Sequence, residues 1–140
     1  MYPKTSYLFV YGTLLSALDN YWVELLKENT NSIRAGYIQG KLYDFGDYPG
    51  IVSSTNPKDQ VVGEIVELKH PDVLLVLDDY EGYFPEEERQ SEYEREIITA
   101  FSDQGEQFQA WAYFFRFDLS RATLISSGNY LEFLQKEQEH

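Results

Sequence analysis

Three carboxylates crowd one short stretch, Asp78-Asp79-Tyr80-Glu81-Gly82, at the C-terminal end of an expected helix. A helix C-terminus carries partial negative charge and favours Lys or Arg, so an exposed acid there costs about 0.3–1 kcal/mol. Breaches of this kind concentrate at functional sites. Mutual repulsion, the helix end and burial under neighbouring aromatics all disfavour ionisation and push a Glu above its reference pKa of about 4.3. A carboxyl tuned in that direction suits general acid and base work, which makes Glu81 the expected proton-handling residue. Asp78 and Asp79 are expected to be solvated. The stretch also fits a plain solvated helix end, and a dedicated calcium or magnesium site is not expected because the EF-hand spacing is absent.

A second candidate is Tyr11-Gly12-Thr13-Leu14, where an apolar strand ends and a helix is about to start. Gly12 can adopt a backbone conformation that turns successive N–H groups toward one point, an anion-binding concavity near the positive helix end. A carboxylate or a developing oxyanion would fit there. The same four residues fit an ordinary tight turn. His70, directly before Pro71, reads as a cap or turn residue, and Glu86-Glu87-Glu88 as a solvated loop. Tyr43, Tyr48, Trp111, Tyr113 and Phe115 read as core or pocket lining, with Tyr48 and Tyr113 assigned to the pocket.

The elements that must position these residues follow from periodicity and turn chemistry. Residues 7–11 form a continuous apolar run, expected to be a buried strand. Ser16, with Asp19 three positions on, is the expected N-cap of a helix whose apolar face is Leu18, Trp22, Leu25 and Leu26, closed by turn residues 29–32. Residues 33–45 suggest a long strand bent or bulged at Gly36 and Gly40. Turns at 46–50 and 56–59 bracket a short strand at 51–53, and residues 61–68 form another strand.

Pro71 suits the first position of the helix bearing Val73, Leu74, Leu77 and Tyr80, which Gly82 stops. Residues 84–92 read as an exposed loop, 93–101 and 107–115 as a hairpin, Gly128 and Asn129 as a turn. Asn129 then caps a helix bearing Tyr130, Phe133 and Leu134. Strands outnumber helices without strict alternation, so the expected class is α+β around a bent, barrel-like mixed sheet with a few short helices.

With 140 residues, 43% hydrophobic, and 12 Tyr and 9 Phe, the chain has the material for one packed domain spanning 1–140. Eleven Lys and Arg against 24 Asp and Glu give a formal charge of −13, which repels nucleic-acid backbones and anionic membrane surfaces. No apolar run approaches the length of a bilayer span, and a soluble, cytoplasmic protein is the expectation. Without cysteine, and with only His70 and His140 as imidazoles, transition-metal chemistry is not expected. Oligomeric state is not legible.

Taken together, the motifs resemble the gamma-glutamyl cyclotransferase-like family, particularly its compact gamma-glutamylamine cyclotransferase branch. The resemblance rests on Phe9-Val10-Tyr11-Gly12-Thr13-Leu14, Gly46-Asp47-Tyr48-Pro49-Gly50-Ile51-Val52, Val62-Gly63-Glu64-Ile65, Leu77-Asp78-Asp79-Tyr80-Glu81-Gly82-Tyr83, Tyr93-Glu94-Arg95-Glu96 and Ala110-Trp111-Ala112-Tyr113-Phe114, in order. It implies a small α+β barrel-like fold, no cofactor, a substrate loop at Tyr11, Gly12, Thr13 and Leu14, and Glu81 as the acid and base. It further implies intramolecular cyclisation of a small gamma-glutamyl compound to 5-oxoproline with release of an amine. With Asp47, Asp78 and Asp79 near the pocket and no evident basic cluster, a gamma-glutamylamine is the expected substrate, provided Arg95 and Lys41 point elsewhere. The alternatives are a non-catalytic ligand- or protein-binding member of the fold and an acidic adaptor with an aromatic contact surface.

Overall fold

The computed structural model describes residues 5–18, 20–46, 48–81, 93–116 and 119–138, without the side chains of Asp79, Tyr80, Glu81 and Gln138. Its elements are β1 (Tyr7–Val10), α1 (Tyr21–Glu28), β2 (Thr30–Asp44), β3 (Pro49–Ser53), β4 (Gln60–Leu68), α2 (Val73–Glu81), β5 (Tyr93–Ser102), β6 (Gln107–Phe115), β7 (Thr123–Leu124) and α3 (Tyr130–Gln138). The strands run β1-β4-β2-β3-β6, and a parallel pairing of Leu8 with Trp111 joins β6 back to β1. Five strands thus close a barrel, as the α+β, barrel-like expectation required. β5 continues from β6 in a long antiparallel ladder and reaches across to β2 at Gly36 and Tyr37.

The longest strand, β2, serves four partners along its length: β4 and β3 within the barrel, and β5 and β7 beside it. A side chain at Gly36 would meet the Phe101 carbonyl 2.5 Å away, so glycine is what lets β5 approach. The register shift in β2 lies between Thr30 and Ser32; pairing with β4 runs unbroken through Gly36, and Gly40 is where β2 passes from β4 to β3. β1 is buried on both faces, with Leu8, Phe9 and Val10 almost inaccessible, in keeping with its unbroken apolar run. Leu26, Leu74 and Leu77 from the helices join the same core, each worth about 1.5–3 kcal/mol when fully buried.

Several local expectations need correction. α1 begins at Tyr21, and its cap is Asn20, whose side-chain oxygen accepts from the Val23 N–H at 2.9 Å. Ser16 lies five residues before that start and serves elsewhere, donating both its N–H and its hydroxyl to Glu64. Val23 and Leu26 are the buried residues of α1, while Leu18, Trp22 and Leu25 pack only partly. Asn29 ends α1 and β2 starts at once, so residues 30–32 are strand rather than turn. Pro71 precedes α2 in a turn where the N–H groups of Val73, Leu74 and Leu75 reach the carbonyls of His70, Pro71 and Asp72, which fits His70 as a turn residue.

Asn129 caps α3 by accepting from the Glu132 N–H at 3.0 Å, and Gly128 takes a φ of +67° in the turn before it. The two-residue β7, paired to Tyr43 and Asp44, had no signal in the sequence. Asp19, Asp47, Gly82, the 84–92 loop with its glutamates, and His140 lie outside the described residues. No helix among the described residues is long and apolar enough to cross a membrane.

Candidate active site

Three elements converge around Tyr113 on β6. The first is the segment after β1. Tyr11 is buried and donates its hydroxyl to the Tyr113 carbonyl at 2.8 Å. Gly12 has no positive φ; it is glycine because a Cβ there would collide with the ring of Pro49. Its carbonyl accepts from the Leu15 N–H at 3.0 Å, so residues 12–15 form a tight turn with Leu14 and Leu15 buried. The Thr13 carbonyl accepts from the Asn20 side chain at 3.0 Å, which brings the start of α1 beside the turn.

Glu64 on β4 fixes the far end of this turn. Its two oxygens accept from the Ser16 N–H at 2.8 Å and the Ser16 hydroxyl at 2.6 Å. A carboxylate accepting two directed bonds is a stronger tether than a neutral acceptor.

The second element is the β2–β3 turn. Tyr48 is half-buried, stacked on Phe45 with ring centroids 5.7 Å apart and tilted against Tyr93 at 6.3 Å. The Tyr93 hydroxyl donates to the Pro49 carbonyl at 2.7 Å, locking the residue that packs on Gly12. Tyr48, Gly12, Tyr11 and Tyr113 therefore belong to one connected aromatic and backbone cluster.

The third element is α2, of which Glu81 is the last residue; its carboxyl lies outside the described residues. One turn earlier, Asp78 is not solvated as expected but only 5% exposed. It accepts from Arg95 Nε at 2.7 Å and Nη2 at 3.0 Å, and from the Tyr113 hydroxyl at 2.7 Å. Arg95, directly opposite Tyr113 in the β5–β6 ladder, lies over the Trp111 ring at 4.4 Å. The helical pattern held the signal for this cluster: Asp78 lies four residues after Leu74, on the inward face, where a carboxylate needs a partner. Arg95 thereby compensates one of the two neighbouring carboxylates invoked for tuning Glu81.

The structure thus brings Tyr11, Gly12, Thr13, Leu14, Tyr48 and Tyr113 together, with the end of α2 joined to them through Asp78. Tyr113 does so with its hydroxyl committed to Asp78. A surface cleft of about 290 Å³ beside the β5–β6 turn, lined by Ile33, Arg34, Ser102 and Glu106 among others, includes none of these residues.

Comparison with known proteins bears on this arrangement. Residues 8–132 match the family described as gamma-glutamyl cyclotransferase, AIG2-like. A protein of Methanocaldococcus jannaschii, provisionally named a gamma-glutamylcyclotransferase, is 27% identical over 127 residues, covering 91% of this chain and 97% of that protein. Among solved structures, YkqA from Bacillus subtilis superposes with a TM-score of 0.73 at 26% identity over 96% of this chain, which spans only 43% of YkqA. An AIG2-like protein from Mus musculus matches with a TM-score of 0.58 at 25% identity, over 78% of this chain and 76% of its own.

Proposed function

We propose, from the premise that the chain belongs to the gamma-glutamyl cyclotransferase, AIG2-like family, that it cyclises gamma-glutamylamines to 5-oxoproline. Membership supports a cyclotransferase-type activity on a small gamma-glutamyl substrate; the leaving amine and the residue roles are the proposal. Glu81, as carboxylate, takes a proton from the substrate's α-ammonium. The freed amine attacks the γ-carbonyl carbon, a carbon–nitrogen bond closes the five-membered ring, and the bond from that carbon to the departing nitrogen breaks. Glu81 returns its proton to the departing nitrogen. A second proton, lost as the α-nitrogen becomes the lactam N–H, ends on the released amine as its ammonium.

The turn of Tyr11, Gly12, Thr13 and Leu14 holds the glutamyl carboxylate or the developing oxyanion, and Tyr48 and Tyr113 frame the pocket. An oxyanion donor is worth roughly 10²–10³ in rate, and holding the two ends of the substrate together supplies an effective concentration on the order of 10⁵ M or more. The family's chemistry asks for little beyond that and a proton carrier.

The choice of amine is carried by one observation: Arg95 is committed to Asp78 in a two-pronged ion pair, its side chain only 13% exposed. Lys41 leans toward Asp59 at 4.0 Å on the exterior, 44% exposed. Neither of the two cations in question is thus offered to a second anionic end of a substrate, and the chain's charge of −13 opposes one. The test is 5-oxoproline release from a gamma-glutamylamine with an uncharged alkyl end, from gamma-glutamyl-ε-lysine, whose far carboxylate is offset by its own α-ammonium, and from a gamma-glutamyl amino acid and glutathione, whose far ends are net anionic. At least about a tenfold higher kcat/KM for the amines is expected, equivalent to roughly 1.4 kcal/mol. Preference for the anionic leaving groups refutes the assignment.

A further inference from the structure

Asp78 precedes Glu81 by three residues on α2, a spacing that puts the two positions on one side of the helix. Its carboxylate gathers donors from two neighbouring strands, Arg95 of β5 and Tyr113 of β6, which face each other in the ladder. Three bonds of 2.7–3.0 Å to groups fixed in a sheet set both the height and the rotation of the last turn of α2. Tyr113 has a second connection: its carbonyl accepts the Tyr11 hydroxyl at 2.8 Å. One residue of β6 is therefore the common reference for the end of α2 and for the start of the substrate turn.

A buried ion pair of this kind adds little net stability, because desolvating both charges offsets most of their attraction; an apolar cluster of the same size holds a core equally well. What it does supply is direction. α2 has no basic residue in its last turn to compensate the helix end, so the lateral clamp is the charged restraint seen there. Proton transfer tolerates little misplacement, and a shift of about 1 Å can cost on the order of 10² in rate.

We propose that Asp78 is the positioning residue of the site: by binding Arg95 and Tyr113 together, it holds the end of α2, and with it Glu81, in register with the Tyr11 turn. This rests on the reading of Glu81 as the proton-handling group.

The test compares kcat, KM and thermal unfolding of wild type, Asp78→Asn, Tyr113→Phe and Glu81→Gln with gamma-glutamyl-ε-lysine as substrate. Asp78→Asn is expected to lower kcat at least about tenfold with KM changed less than about threefold, while the protein remains folded at the assay temperature. Tyr113→Phe, which deletes a single hydroxyl, is expected to lower kcat several-fold in the same pattern, and decides the matter alone if Asp78→Asn does not fold. Wild-type kcat in the folded variants overturns the proposal. So does a loss of kcat that follows the unfolding midpoint and disappears when the assay is cooled, the mark of a purely structural cluster. An inactive Glu81→Gln beside a fully active Asp78→Asn removes the positioning role and leaves the Glu81 reading intact. An active Glu81→Gln, or a wild type that releases no 5-oxoproline, removes both.

Discussion

At the scale of single residues, the charge balance at the end of α2 turns on Asp78, which accepts from Arg95 and from the Tyr113 hydroxyl. A helix-end cluster of acids identifies Glu81 as unusual, yet the same cluster misassigns Asp78, which is buried and paired. The difference comes from a residue 17 positions away: only the tertiary fold brings Arg95 to α2, and no local pattern encodes that meeting. A second paired-acid feature belongs to this scale. On β5, Glu96 has its carboxyl raised above the ordinary range by partial burial and, next, by the neighbouring Glu94 carboxylate. A group raised in the folded state contributes stability fully present below its unfolded pKa and lost as the pH rises through the folded one. Glu96→Gln is therefore expected to stabilise the protein at pH 7, by about 0.5 kcal/mol or less given its exposure, and to leave it unchanged near pH 4. Urea unfolding at both pH values checks this; destabilisation at pH 7, or an equal gain at both, contradicts it.

At the scale of elements, strands and helices were largely readable because apolar runs and turn residues announce them. Their ends were less so. Ser16 has the chemistry of a cap but lies five residues before the helix and donates to Glu64 of β4, and the cap falls to Asn20. β7 consists of two residues paired to β2, too short for any period to register. The Glu64–Ser16 tether joins β4 to the turn proposed to hold substrate. Glu64→Ala removes two charge-assisted bonds and is expected to cost about 1.5–3 kcal/mol and to raise KM several-fold as the turn loosens. Unfolding midpoints and steady-state kinetics measure both. An unchanged KM with an intact turn shows that the tether does not govern substrate binding.

At the scale of the whole molecule, the α+β class and the barrel-like sheet were legible from the balance of strands and from the family's motifs. The way the barrel closes was not. Closure rests on the parallel pairing of Leu8 with Trp111, and β5 bridges to β2 only because Gly36 lacks a side chain. Neither leaves a trace in local periodicity. The candidate site is a product of that closure, since β1, the β2–β3 turn, β6 and α2 each contribute one side of it. The proposed chemistry nevertheless comes down to whether one carboxyl moves a proton. The most direct test is turnover of gamma-glutamyl-ε-lysine to 5-oxoproline by Glu81→Gln against wild type, with circular dichroism confirming the fold. A loss of at least about two orders of magnitude in kcat in a folded protein is expected, whereas wild-type turnover by Glu81→Gln contradicts the account at its centre.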